Sequence, residues 1–442
     1  MKKHSRRALS VILVGTMVAG LTVCAGCSQS SPAATSSAST VVSTKSDEKI
    51  TLKVWHQWSD DSNALKKDYN SAVTAYEAAN PNVKIESDAL ATEAYKTKLT
   101  TAFAGNSADC DVFYDWSPGK TQSLAEAGKI LAIDDYVKDG TLDQVQPGST
   151  DAFKFNGKLY SLPMFSWYMV LYCNKDLFQQ AGATEPTTYD ELLTACKKLS
   201  DKGILPITNG TRDAWNACFI YEYLAMRENG AEAVNSYLNG KTKMTGTGFA
   251  DAAKKVQELV AAGAFGNSTL ATGSTDADTA FTTGKAAMRI GGSWVASNVY
   301  ADGSTVKGKV DALAVPLITG GKGDESNFCG GFTESFLVNA GTKYPEQSVA
   351  FMKYINKAMG KYAAETSSGF DGWKDSTIDQ SGWNDVFKQI NTLTQKCTSS
   401  TLAWDTFLDS AKTKIHQDDV EGLFGNKITP DDFVKNENAS WD

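Results

Sequence analysis

The sequence has little histidine, and this shortage excludes most metal chemistry. Only three of its 442 residues are histidines, and His4 lies in a basic leader, so His56 and His416 would carry any imidazole chemistry. A histidine-based zinc or iron centre needs several imidazoles or clustered thiolates at ligand spacing, and the sequence shows neither pattern. We therefore expect no metal and no cofactor, and a surface or core role for these two histidines.

Motifs for nucleophilic catalysis and phosphate binding are also missing. The chain contains no G-x-S-x-G elbow. Pro118-Gly-Lys-Thr121 resembles the end of a P-loop, but Tyr114 stands where that motif requires glycine. Gly246-Thr-Gly248 lacks a third glycine in register, and both segments are interpreted as turns. Acid pairs such as Asp60-Asp61 leave glycoside hydrolysis open as an alternative, because that reaction needs only two carboxyl groups flanking a bond.

The chain has no excess of positive charge, whereas aromatic residues are abundant. Its net charge of −8 and pI near 5.2 argue against nucleic acid or anionic lipid as a partner. Ten Trp, sixteen Tyr and nineteen Phe exceed what packing alone requires, so some rings are expected to face a ligand. The length is too great for one hydrophobic core and predicts two lobes.

A long apolar run occurs near the N-terminus and predicts a lipoprotein leader. Basic residues precede the apolar stretch Ala8–Val23, and Ala25-Gly26 leads into Cys27. We expect a signal peptide over residues 1–26, lipidation of Cys27, and a flexible tether over residues 27–48 rich in Ser and Thr. The protein would then sit at the extracellular face of the cell membrane, held by lipid alone. A transmembrane anchor or an ordinary secretory signal cut elsewhere is the alternative, although the run is short for a span.

The cysteines beyond the leader do not form a compact disulfide pattern. They are widely spread, and several have apolar neighbours, so buried free thiols are favoured over disulfides. These residues are Cys110, Cys173, Cys196, Cys218, Cys329 and Cys397.

From Ile50 the sequence alternates between strand and helix patterns. The predicted elements are a strand at 50–55, a helix from Leu65 to Tyr76, a strand at 83–85, a helix at 95–103, a strand at 111–114 and a short helix at 124–127. Such βα units predict mostly parallel sheets. Asn156-Gly157 predicts a hairpin turn, and Thr188 with Glu191 predicts a capping box. A lobe boundary is expected near residue 154.

Several short segments, in this order along the chain, resemble one family. They are Leu159-Tyr-Ser-Leu-Pro163, Asn174-Lys-Asp-Leu-Phe178, Ala181-Gly182, Pro186–Leu192, Ala280–Met288 running into Gly-Gly-Ser-Trp294, Val315-Pro316 and Gly330-Gly331. This set resembles the extracellular solute-binding proteins of family 1, the carbohydrate-binding subunits of ABC importers. The resemblance implies an α/β, two-lobe periplasmic-binding-protein-like fold of type II, in which each lobe is a mostly parallel sheet flanked by helices. It also implies chain crossings near 154, 283 and 331, with lobes of 49–154 plus 284–330 and of 155–283 plus 331–442.

The resemblance further implies a sugar held in the cleft between the lobes. Rings can stack on the apolar face of a pyranose, while carboxylates and amides accept its hydroxyl protons. The implied ligand-binding residues are Trp58, Asp60, Asp115, Trp116, Trp167, Arg212, Trp215, Trp294, Glu334 and Trp373. Core packing is the alternative for each tryptophan, and Trp116, Trp215 and Trp294 are favoured as ligand contacts. Trp383 and Trp404 lie in helical patterns and are expected to pack.

These inferences predict a binding protein without catalytic activity. It would capture a sugar or oligosaccharide by hinge closure and deliver it to the permease of an ABC importer. A peptide or polyamine is the alternative ligand, because an acidic aromatic cleft can hold a cation over its rings. A secreted glycoside hydrolase is the less favoured alternative.

Overall fold

The computed structural model of the protein describes residues 49–61, 63–374 and 376–442. The predicted leader and the whole of the predicted tether, including Cys27, lie outside these residues. Within the described ranges, no helix has the length and apolar character needed to cross a bilayer.

Strands and helices alternate along most of the chain. The first part contains β1 (Ile50–His56), α1 (Ala64–Ala79), β2 (Val83–Ala89), α2 (Thr92–Ala104), β3 (Val112–Asp115), α3 (Pro118–Glu126), β4 (Lys154–Phe155) and β5 (Lys158–Leu159). The middle contains β6 (Phe165–Asn174), α4 (Lys175–Ala181), α5 (Tyr189–Asp201), β7 (Leu205–Thr208), α6 (Trp215–Asn229), α7 (Ala231–Leu238), α8 (Gly248–Ala261), α9 (Ser274–Thr282), β8 (Ala286–Gly292), α10 (Val295–Val299), β9 (Val310–Leu313) and β10 (Asn327–Phe332). The last part contains β11 (Ser335–Val338), α11 (Pro345–Glu365), β12 (Phe370–Asp371), α12 (Asp385–Thr394), β13 (Ser399–Thr401), α13 (Trp404–Phe407), α14 (Ser410–Phe424) and α15 (Pro430–Ala439).

Local signals in the sequence account for several of these boundaries. The predicted capping box opens α5, with Thr188 and Glu191 each bonding the other's backbone N–H. The predicted hairpin joins β4 to β5 through Asn156 and Gly157, both with positive φ as a type I′ turn requires. The interpretation of residues 118–121 as a turn was wrong, because Pro118 begins α3, where its missing N–H costs no hydrogen bond.

The first lobe is built on a four-stranded sheet in the order β11-β3-β1-β2. β1 runs parallel to β2 and β3, whereas β11 is antiparallel to β3. Helices α1 and α11 pack together beside this sheet, and their apolar faces enclose an aromatic-rich core.

The second lobe is built on a sheet in the order β13-β10-β6-β8-β7, and β9 and β12 also pair with β6. Its central strand β6 is antiparallel to β8, β9, β10 and β12, so this sheet is mostly antiparallel rather than mostly parallel as predicted. The cause is the direction in which the chain enters the second lobe. β6 brings the chain in from the first lobe and runs away from the lobe boundary. β8 and β10 run back toward that boundary. In the first sheet, β11 likewise enters from the other lobe and is antiparallel to its neighbour β3.

Strand pairing also differs from the predicted lobe boundaries. Residues 286–292, expected in the first lobe, form β8 beside β6, while residues 335–338, expected in the second lobe, form β11 beside β3. All seven residues of β8 are buried, which suits a central strand covered on both faces. The chain therefore crosses between the sheets before β6, between β10 and β11, and again between α11 and α12.

The described histidines and most of the described cysteines occupy the interior, which is the core alternative left open for His56 and His416 and the burial favoured for the thiols. The six cysteines of the described chain are free, five of them buried and Cys397 half-buried. His56 packs against Trp58 and Tyr69, and burial lowers its pKa to about 4. His416 is fully buried.

Candidate ligand-binding cleft

A cleft lies where the two sheets face one another. β1 leads into Trp58, β3 into Trp116 and β8 into Trp294, so each strand delivers a ring at its carboxyl end. These rings line a cavity of about 250 Å³ that takes residues from both lobes. A second cavity of about 570 Å³ shares Lys96, Trp116 and Trp215 with the first and extends the cleft along the rim.

The first lobe contributes a connected group of rings to the cleft. Trp58 is buried with its ring centroid 4.6 Å from that of Tyr114. Tyr114 in turn stacks with Trp116 at 5.3 Å and an interplanar angle of 29°. Trp116 is half-buried and belongs to both cavities, so its ring retains surface for a ligand.

The second lobe contributes a matching group. Trp167 lies edge-on to Trp294, with centroids 5.1 Å apart, and stacks on Phe219 at 5.6 Å. Trp215 meets Phe219 edge-on at 5.4 Å. Trp167 and Phe219 are buried and brace the half-buried rings of Trp215 and Trp294. The fixed rings form an apolar wall that needs little reordering on binding.

Polar groups lie between the two aromatic groups. The Oε2 atom of Glu334 and the Oε1 atom of Gln57 are buried at the cleft, and neither has a hydrogen-bond partner among the described residues. Burial raises the pKa of Glu334 to about 8, because no charged partner offsets the loss of water. These two acceptors are unsatisfied in a site where a hydroxyl-bearing ligand could supply the donors.

Asp278 is a third oxygen-bearing group of the cleft, and its position is fixed. Arg289 donates from Nε to one carboxylate oxygen at 2.9 Å, and Asn298 donates from Nδ2 to the other at 3.3 Å. Arg289 is itself buried and also donates to Asn216 at 2.6 Å. The network holds Asp278 and Asn298 on the second-lobe side of the cavity.

The structure brings six of the predicted site residues together in the cavity and leaves four elsewhere. Those lining the cavity are Trp58, Trp116, Trp167, Trp215, Trp294 and Glu334. Arg212 lines the adjoining cavity, where its Nε and Nη1 atoms lie 3.7 Å from Asp213 and Asp276.

Asp60 and Trp373 line neither cavity, and Asp115 lines only the adjoining one. Asp60 is exposed on the loop after β1. Asp115 lies behind the wall and accepts hydrogen bonds from the N–H groups of Trp116 at 2.8 Å and Ser117 at 3.1 Å, so it shapes the turn that presents Trp116. Trp373 is buried in the first-lobe core, where its Nε1 donates to the carbonyl of Pro163 at 2.9 Å.

Sequence reasoning missed Tyr114, Phe219, Lys96 and Asp278. The rule that ligand contacts gather at strand ends could have identified Tyr114, the next-to-last residue of β3. The other three lie within helices α6, α2 and α9, where a helical pattern does not distinguish a cleft residue from a packing or surface residue.

The lobes also touch at a seam beside the cleft. Ser117 donates from its hydroxyl to the carbonyl of Thr406 at 2.9 Å. Next to this bond, a Cβ atom built on Gly119 would lie less than 3.0 Å from the backbone oxygens of Phe407 and Leu408. The N-terminus of α3 and the end of α13 therefore approach so closely that only glycine fits.

Comparison with known protein families identifies the family of the chain that forms this cleft. The family described as bacterial extracellular solute-binding protein matches residues 60–362. The chain belongs to this family. The resemblance inferred from the sequence is confirmed, and the two-lobe α/β fold that it implied is shared by solved structures of solute-binding proteins.

Two solved structures are similar to this solute-binding protein over nearly all of their length. One, from work on xylan utilization by the thermophilic bacterium Caldanaerobius polysaccharolyticus, has a TM-score of 0.85 and 36% identity, covering 88% of this chain and 99% of that chain. A chitin oligosaccharide binding protein has a TM-score of 0.80 and 25% identity, covering 89% and 98%.

Curated relatives carry transport-related names. The multiple sugar-binding protein of Streptococcus mutans is 22% identical over 72% of this chain and 74% of that protein. An uncharacterised ABC transporter extracellular-binding protein of Pyrococcus horikoshii is 28% identical over 53% of this chain, and the match spans about half of that relative, 54% of its length.

Proposed function

We propose that the protein captures an oligosaccharide between its lobes by hinge closure, without cleaving it, and delivers it to the permease of an ABC importer. The observation that carries this proposal is the meeting of half-buried tryptophans from both lobes around buried, unpartnered oxygen acceptors. Flat rings contact the apolar faces of sugars, and the acceptors pair with the hydroxyl groups at their edges.

The extended shape of the cleft favours a ligand longer than one sugar. The two cavities share Trp116 and Trp215, and their combined size lies in the range of several hundred to about 1,000 Å³ typical of ligand sites. A chain of sugars could therefore stack first on one ring and then on the next. The names of the similar structures, which refer to xylan utilization and to chitin oligosaccharides, make xylo- and chito-oligosaccharides the first ligands to test.

A polyamine is the second candidate, because acids outnumber bases around the main cavity. Glu334, Asp278 and Asp405 line it together with Lys96 as a base. Asp278 is already compensated by Arg289 at 2.9 Å, and burial raises the pKa of Glu334 to about 8 and that of Asp405 above its usual value, so both carboxyl groups favour the uncharged form. Since little negative charge is left over for a multivalent cation, a neutral glycan is favoured.

Calorimetric titration of the chain starting at Ser28 tests the proposal. Xylo-, chito- and malto-oligosaccharides, short peptides and spermidine are titrated separately, and each glycan is afterwards analysed for cleavage by chromatography. We expect one glycan class to bind and to be recovered intact. Binding by spermidine or peptides alone would refute the glycan assignment, and recovery of shortened glycans would show an enzyme.

We also propose that the protein is tethered through lipid on Cys27 at the extracellular face of the membrane. The proposal rests on the basic residues, the apolar run and the small residues that precede this cysteine. Mass spectrometry of the N-terminal peptide should show an acylated Cys27, and Cys27→Ser should move the protein from the membrane fraction into the medium. An unmodified Cys27 in the membrane-bound protein would refute lipidation.

A further inference from the structure

A cluster of potential metal ligands lies inside the second lobe, away from the residues that line the cleft. Cys218 and Glu222 are four residues apart on one face of α6, and His416 reaches them from α14. The Cys218 sulfur, a Glu222 carboxylate oxygen and a His416 ring nitrogen all lie within 4.8 Å of one another. All three residues are fully buried.

Hydrogen bonds around the cluster leave ligand atoms unused. Nδ1 of His416 lies 2.6 Å from Oε1 of Glu437, and the Tyr237 hydroxyl donates to Oε2 of Glu437 at 2.6 Å. Since Nδ1 is engaged by Glu437, Nε2 is the ring nitrogen that faces Cys218 and Glu222. Within the described chain, Nε2 of His416 and Oε2 of Glu222 have no hydrogen-bond partner.

We propose that Cys218, Glu222 and His416 bind a divalent transition-metal ion, zinc being the best match to this mixed donor set. A carboxylate that fixes the histidine tautomer, as Glu437 does here, is the usual support of a zinc-bound imidazole. Side-chain shifts of about 1 Å bring the three atoms to zinc-ligand distances.

A metal-free alternative is a doubly protonated His416 bridging the two glutamates. In that arrangement Nε2 of His416 and Oε1 of Glu222 would form an ion pair at 3.7 Å but no hydrogen bond, so the buried Nε2–H would stay without an acceptor. The metal would have a structural role next to the cleft. The backbone N–H of Trp404 donates to Glu222 at 3.0 Å, and the Trp404 ring stacks on His416 at 4.8 Å, while the adjacent Ala403 and Asp405 line the cleft.

Metal analysis of the natively purified chain tests this proposal. Because the cluster is fully enclosed, the ion must enter during folding, so the protein is produced in medium supplemented with zinc or, separately, with cobalt. We expect about one equivalent of metal per chain after gel filtration, and a thiolate-to-cobalt charge-transfer band in the cobalt form. X-ray absorption should show one sulfur ligand together with nitrogen and oxygen ligands.

Cys218→Ser is compared with Cys196→Ser, which alters a buried thiol of the same core away from His416. The band should disappear in the first variant and persist in the second. If Cys218→Ser does not fold, the sulfur ligand in the unaltered protein decides the question. Less than one tenth of an equivalent of metal in that protein, or a metal without sulfur ligation, would overturn the proposal and favour the metal-free imidazolium.

Discussion

Replacing Gly119 by alanine should weaken ligand binding without weakening the fold. The added Cβ would lie less than 3.0 Å from the backbone oxygens of Phe407 and Leu408, so the seam cannot close without backbone movement. Overpacking of this kind typically costs about 1–3 kcal/mol. In the proposed hinge closure this contact forms only when the lobes close, so the cost falls on the closed form alone, and affinity should drop by roughly 5- to 150-fold.

The stability of the ligand-free protein should change in the opposite direction. Gly119 is the second residue of α3, where alanine should be favoured over glycine by up to about 0.5 kcal/mol, the low end of the range for a helix interior. Titration calorimetry with whichever xylo-, chito- or malto-oligosaccharide binds the unaltered protein measures the affinity, and thermal unfolding without ligand measures the stability. Gly425→Ala is the matched control, because its nearest atom to an added Cβ is 3.4 Å away and it lies at the end of α14. Unchanged affinity in Gly119→Ala would refute the role of the seam in closure.

Three further changes test the cleft and its surroundings. Trp215→Ala should lower glycan affinity roughly tenfold by removing one stacking ring, whereas Trp383→Ala, a half-buried tryptophan that lines neither cavity, should leave calorimetric affinity unchanged. Glu334 has its pKa raised by burial from 4.5 to about 8. The folded chain therefore holds an extra proton between these values, and the free energy of unfolding should fall as pH rises through this window, by on the order of 4 kcal/mol. Glu334→Gln should remove that slope in denaturant titrations, and an unchanged slope would contradict the assignment. His56 has its pKa lowered by burial from 6.5 to about 4. The contribution of neutral His56 to the free energy of unfolding should be complete above pH 6.5 and should decline by about 3 kcal/mol as pH falls to 4. His56→Gln should abolish this decline, and a decline that persists in the variant would contradict the assignment.

Much of the first lobe was predictable because its signals are local. β1, α1 and β2 begin within one or two residues of where periodicity placed them, and the capping box at Thr188 and the turn at Asn156 formed as predicted. The residues following β1, β3 and β8 were also predictable, since the carboxyl ends of strands meet at the cleft. Trp58, Trp116 and Trp294 follow from that rule.

Pairing between distant segments was not predictable in the same way. The sequence of β8 predicts an apolar strand, but its residues do not determine whether the strand pairs with β3 or with β6. Trp373 resembles a cleft tryptophan because glycines flank it, yet the carbonyl of Pro163 holds it in the core. The cluster around His416 was missed because its ligands lie far apart along the chain and share no motif spacing.

The order of the strands also constrains when each lobe can fold. The first sheet is completed by β11 and covered by α11, although its first strand begins at Ile50. The second lobe is completed by β13, α14 and α15 near the end of the chain. Neither core can close until distant segments are available, so contacts of long sequence separation dominate and folding is expected to be slow. A chain emerging in order from its N-terminus would therefore stay open until most of its length had appeared, which keeps it in a form that can still be threaded through a narrow channel.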